Sequence, residues 1–147
     1  MLKNIPQIIP PDLLKILAEM GHGDEIVIAD GNFPSANMGQ RVVYMLGNGG
    51  CDVLKAVLEL LPLDSYEKPV YLIDKVKGDN VDTPIWDEYR EIVRKYTDEE
   101  IEFIERFDFY ERSPKAYAVI ATGETALYGC MILKKGVIKS DERRENA

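Results

Sequence analysis

Met20-Gly21-His22-Gly23-Asp24-Glu25-Ile26-Val27-Ile28-Ala29-Asp30 carries the only histidine of the chain. That histidine lies between two glycines, just after an apolar segment of helical spacing. An alternating run, Glu25 to Ala29, follows and ends on Asp30. The stretch reads as helix, tight turn and strand, with an acid at the strand's C-terminal end. Glycines on both sides allow a sharp turn and the close approach of another molecule. An imidazole there exchanges protons near neutral pH. A carboxylate one strand-length on would bind a polar ligand beside it. The plainer alternative is a loop histidine with no chemistry, so the rest of the chain must decide.

Working outward, Leu13, Leu14, Leu17 and Met20 predict a short amphipathic helix over residues 11–20, with Asp12 as N-cap or first-turn acid and Gly21 as its stop. Residues 31–39 are loop-like by composition and could fold over whatever binds at Asp30. Residues 41–46 read as a strand, 47–50 as a Gly-rich turn and 52–61 as a helix. A phosphate-binding reading of that turn is weak, because no Lys-Ser/Thr follows and the spacing fits neither usual nucleotide pattern. Residues 70–73 are an all-apolar strand of the kind buried on both faces. Strands are further expected at 100–105, 117–122 and 131–133, and helices at 85–96 and 107–112. Alternating strands and helices argue for one three-layer α/β domain with a mixed central sheet, residues 1–138, followed by a charged flexible tail, 139–147.

The 147 residues suit a single domain, which at this size buries roughly 68–70% of its unfolded surface. A net charge of −8 argues against nucleic acid and anionic membranes, which reward basic surfaces. Neutral partners such as sugars remain open. Cys51 and Cys130 form no CxxC, and with one histidine they make a poor zinc set, so neither metal nor disulfide scaffold is expected. No apolar leader or membrane-spanning run is visible, which makes the cytoplasm the expected compartment. Nucleophile elbows, HExxH and EF-hand loops are absent from the sequence. One histidine, acids, tyrosines and an arginine at a strand end suit cofactor-independent proton transfer on a neutral polyol.

Met-Gly-His-Gly-Asp-Glu (20–25) with Asp30, Arg106-Phe107-x-Phe109-Tyr110-Glu111-Arg112, Thr122-Gly123-Glu124, Tyr128-Gly129 and Leu133-Lys134-Lys135-Gly136 together resemble the L-fucose mutarotase/ribose pyranase family, nearer its fucose branch. The resemblance covers about residues 1–138. It implies an α/β/α domain, a cofactor-independent isomerase for α and β anomers of a free sugar, L-fucose foremost, and a homo-oligomeric ring, commonly a decamer, with sites near subunit contacts. By matching position it implies His22 as the catalytic group. Asp30, Arg106, Tyr128, Gly129 and Cys130 would then bind the sugar, Cys130 standing where the fucose branch carries Asn. Ring opening would pair His22 with Tyr128 or a water.

Two other readings compete. One is a non-catalytic monosaccharide-binding or transport-accessory module using the same pocket. The other is a nucleotide-binding regulator built on residues 47–50. Tyr44, Trp86, Tyr89, Phe107, Phe109 and Tyr110 are more large aromatics than one domain's layers need, which points to contacts between copies as well as core filling.

Overall fold

The computed structural model describes residues 1–145. Its elements follow in the order α1 (Pro11–Glu19), β1 (Glu25–Ala29), α2 (Ser35–Met38), β2 (Val42–Met45), α3 (Gly50–Leu58), β3 (Val70–Ile73), α4 (Pro84–Val93), β4 (Glu102–Ile104), α5 (Arg106–Arg112), β5 (Ala118–Thr122), β6 (Met131–Lys134) and α6 (Ser140–Glu145). A 3₁₀ turn, Ser113–Lys115, links α5 to β5.

The strands form one mixed sheet in the order β2-β5-β1-β6-β3-β4. β1 pairs parallel with β5, β5 with β2, and β3 with β4, whereas β6 runs antiparallel to both β1 and β3. Five strands therefore point the same way. β6 is reversed because residues 123–130 are too few for the crossover of a dozen or more that a parallel return needs. β1 lies between β5 and β6, so that short connection passes over the C-terminal end of β1.

The period-2 alternation of β1 divides its side chains between two cores. Ile26 and Ile28 pack with α1, α3 and α4 residues such as Leu13, Leu54 and Tyr89. Val27 and Ala29 face the other layer, with Phe109 of α5 and Phe33. This is the expected three-layer α/β architecture with a mixed sheet. On α1, the spacing of Leu13, Ile16 and Leu17 buries one stripe. Each such side chain contributes roughly 1.5–3 kcal/mol of burial energy, so Leu13→Asp would break the seam.

Some details differ from expectation. The 31–39 loop contains the one-turn helix α2, closed by the Met38 and Gly39 amides on the carbonyls of Pro34 and Ser35. Within 139–147, expected as a loose tail, the backbone of Ser140–Glu145 is helical. Asn146 and Ala147 lie outside the described residues. The aromatics split: Tyr89 and Phe109 are wholly buried, while Tyr44 and Phe107 stay exposed. The N-terminus of α3 is filled from within. Glu124 Oε1 accepts the Gly50 amide at 2.9 Å, and Glu124 also binds the Ala126 amide through Oε2 (3.0 Å) and the Gly31 amide through its carbonyl (2.8 Å). Among the described residues, no helix is long and apolar enough to cross a membrane.

Candidate active site

Open α/β sheets gather ligands beyond the carboxyl ends of their strands. Here those ends surround a cavity of about 270 Å³ between Asp30, Ile73, Arg106 and Tyr128. Asp30 follows β1 directly. Its amide donates to Cys130 Sγ at 3.2 Å, and its Oδ1 accepts the Asn32 amide at 3.0 Å. Arg106 is the first residue of α5. Glu105 caps that helix through the Phe107 and Asp108 amides, which fixes where the arginine leaves the sheet, and its guanidinium lies 4.5 Å from the Phe107 ring centre.

Tyr128 sits at φ 59°, in the left-handed region that a tyrosine rarely enters. Such a backbone costs about 1–3 kcal/mol and needs its surroundings to hold it. Trp86 Nε1 donates to its carbonyl at 2.8 Å, and the buried Tyr89 hydroxyl donates to the next carbonyl, Gly129, at 2.9 Å. The Tyr128 hydroxyl donates to Asp79 at 2.5 Å and accepts the Val76 amide at 3.3 Å. That bond to Asp79 raises the Tyr128 phenol above its ordinary pKa and lowers the Asp79 carboxyl below its own. Phe33, Val76 and Leu127 supply an apolar wall, Phe33 standing edge-on to Phe109 at 5.8 Å. Carboxylates, a guanidinium and a phenol against such a wall match a neutral ring compound with hydroxyls on one side and C–H groups on the other.

His22 is not at this cavity. It precedes β1, and Asp30 follows it, so the five residues of the strand alone, at about 3.3 Å each, put about 16 Å between them. The expectation that a carboxylate one strand-length on could bind a ligand beside the histidine is therefore corrected within one protomer: the extended strand puts the two groups too far apart to share one. At the far edge, His22 Nε2 lies 3.0 Å from Asp64 Oδ1, and the ring tilts against Tyr66 at 5.3 Å. Asp64 is 4% exposed. Burial alone would raise its pKa, but bonds from His22 and from the Tyr66 and Glu67 amides outweigh it and hold the carboxyl below its usual value. The imidazole keeps 46% of its side chain exposed, aimed out of the molecule.

Thus the structure brings Asp30, Arg106, Tyr128 and Cys130 to one cavity and leaves His22 at the opposite edge. Gly129 lies behind the wall, and the Cys130 thiol, 2% exposed, is turned to the Asp30 amide. Asp64 and Asp79 were missed from sequence. Asp64 opens an Asp-Ser turn, a recognisable signal for backbone capping, though nothing local links it to a histidine 42 residues away.

Residues 3–138 match the RbsD / FucU transport protein family. The human fucose mutarotase is 49% identical, over 93% of this chain and 94% of its own. The structure of FucU from Bifidobacterium longum superposes with a TM-score of 0.91 at 52% identity, covering 93% of this chain and all of the other. That of the fucose mutarotase from Streptococcus pneumoniae in complex with L-fucose gives 0.89 at 48%, covering 94% and 100%.

Proposed function

The chain belongs to the RbsD / FucU transport protein family, and from that premise we infer that it is an isomerase, a mutarotase interconverting the α and β anomers of L-fucose. The likeness to the L-fucose-bound mutarotase, over 94% of this chain, carries the reading. Residues 1–138 are the acting domain in this proposal and 139–147 an appendage.

Asp30 and Arg106 hold the sugar's hydroxyls, and Phe33, Val76 and Leu127 face its 6-methyl group. Cys130 and Gly129 act from behind: the thiol seats the Asp30 amide and the Gly129 carbonyl anchors the strained Tyr128. His22 of a second copy completes the site. Two features support this. Each protomer carries the cavity at one end of β1 and the exposed His22 ring, held by the buried Asp64, at the other, as suits a head-to-tail ring. Exposed apolar side chains also stand at both ends, Tyr66 beside His22 and Leu127 at the cavity. The assembly proposed is a homo-oligomer, with a decameric ring favoured.

Anomer exchange then needs only proton transfers. A base at the cavity takes the proton of the anomeric hydroxyl while His22 delivers one to the ring oxygen, and the C1–O5 bond opens to the aldehyde. Rotation about C1–C2 and the reverse transfers close the ring on its other face. The cytoplasm is the compartment proposed, in keeping with two cysteines that are both free thiols.

Saturation-transfer NMR on the two anomer signals of L-fucose tests the function. Wild-type protein accelerates exchange, and His22→Ala loses about 10²–10⁴-fold. No acceleration by wild type would exclude it. Saturable binding without exchange would instead indicate a sugar-binding module, the reading that a protomer with His22 remote from its own cavity keeps alive.

A further inference from the structure

Asp79 lies in the polar segment between β3 and α4, exposed, with its carboxylate turned to the cavity. The segment folds back on itself through the Val81 amide, which donates to Asp79 Oδ1 at 3.1 Å, and the Asp79 amide, which donates to the Val76 carbonyl at 3.0 Å. The other carboxylate oxygen accepts the Tyr128 hydroxyl at 2.5 Å, and the Val76 amide donates to that same hydroxyl oxygen. Tyr128 is therefore gripped at both ends, by Trp86 at its carbonyl and by the Val76–Asp79 turn at its phenol. A phenol has one proton to give. Here that proton is committed to Asp79, which leaves the Tyr128 oxygen toward the sugar as an acceptor only.

We propose that Asp79 is the positioning residue behind Tyr128: it fixes the phenol at the cavity, makes its oxygen a proton acceptor, and receives the phenol's proton when Tyr128 takes that of the anomeric hydroxyl. This rests on the mutarotase reading. In the step, the anomeric O–H bond breaks as a Tyr128 O–H bond forms, and the original Tyr128 O–H bond breaks as one forms on Asp79. The ring oxygen takes its proton from His22 of the neighbouring copy. Charge balances, since one carboxylate is neutralised as one imidazolium is. The groups facing the pair are Lys75 on the Asp79 side, and Arg106 and Asp30 across the cavity. The raised phenol and lowered carboxyl place the shared proton on Tyr128 at rest.

The test measures L-fucose anomer exchange by the full-length wild type, Asp79→Asn, Asp79→Glu, Tyr128→Phe and the Tyr128→Phe/Asp79→Asn double variant, with kcat and KM separated. Because Asp79 is exposed, its replacement leaves the core intact. Asparagine still accepts the phenol's hydrogen bond but cannot take its proton. The expected result is a fall in kcat of roughly tenfold or more for Asp79→Asn, with KM within about twofold. Asp79→Glu should recover a substantial part. Within the Tyr128→Phe background, Asp79→Asn should change kcat by less than about twofold, since the two act as a unit. The ¹³Cζ signal of Tyr128 should also titrate lower in Asp79→Asn than in wild type. The proposal is overturned if Asp79→Asn keeps wild-type kcat, if it costs the same factor without the phenol, or if Asp79→Glu is as impaired as Asp79→Asn. A wild type that does not speed exchange would defeat the mutarotase reading itself, a separate outcome.

Discussion

The only histidine, His22, shares a hydrogen bond of 3.0 Å with Asp64, an acid that is almost wholly buried while its partner's ring looks outward. A buried carboxylate that receives one imidazole and two backbone amides is fixed in place, so it can hold the ring in one orientation.

Asp64→Ala is expected to cost about 2 kcal/mol, because charge-assisted bonds are lost and two amides lose their acceptor. The folded-state pKa of Asp64 is depressed, so its stabilisation is present above the unfolded value, about 3.9, and is lost as pH falls through the lower folded value. Urea unfolding of wild type and variant should therefore differ most at pH 6–7 and converge below about pH 4. A gap that persists unchanged to pH 2 would contradict this.

Sites shared between copies predict complementation. His22→Ala and Arg106→Ala, each inactive alone, should recover exchange when co-assembled. The cavity of one and the histidine of the other then form whole sites, up to about a quarter of the total in a random head-to-tail ring. Light scattering on the wild type should show an assembly far above 16.7 kDa. Co-assembled variants that stay inactive would mean that His22 does not act across a contact.

How far the chain could be read without coordinates depends on the range of the interaction. The faces of β1 followed from alternation, since period 2 is a local property. That His22 and Asp30 lie at opposite ends of it was also readable, because five extended residues have a known length. The His22–Asp64 and Tyr128–Asp79 bonds were not, since they join residues 42 and 49 positions apart through turns whose paths depend on the whole sheet. The short helix α2 was hidden by loop-forming residues that make a single turn only because Pro34 and Gly39 bound it.

Gly50→Ala should damage the site from a distance. A Cβ there would stand 2.0 Å from the Tyr89 hydroxyl, and Tyr89 is fully buried with no room to withdraw. Relief requires giving up the bond to the Gly129 carbonyl, and so the support of Tyr128. Overpacking of this kind costs about 1–3 kcal/mol. Thermal unfolding should fall accordingly and kcat should drop with it. A variant of normal stability and activity would show that Tyr89 is dispensable.

Both thiols should be inert in the native protein. Burial, followed by nearby acids such as Glu88, pushes Cys51 up to about 11, and burial with the Asp30 charge holds Cys130 well above the ordinary range. Thiolate is the reactive form. Iodoacetamide at pH 8 should modify neither at the rate of an unhindered cysteine, and intact mass should show two adducts once the chain is unfolded. Rapid alkylation of Cys130 in the folded state would contradict its burial against Asp30.

Glu124 gives the molecule its own counter-ion. Its carboxylate occupies the start of α3, the position where a strand-to-helix turn ordinarily draws in phosphate from solution, and ties that turn to the Ala126 amide before β6, while its backbone carbonyl holds the Gly31 amide just past β1. The positive end of the helix is thereby spent on architecture. A phosphate approaching that turn meets a carboxylate already seated on the Gly50 amide, so the turn repels the anion that such turns elsewhere attract.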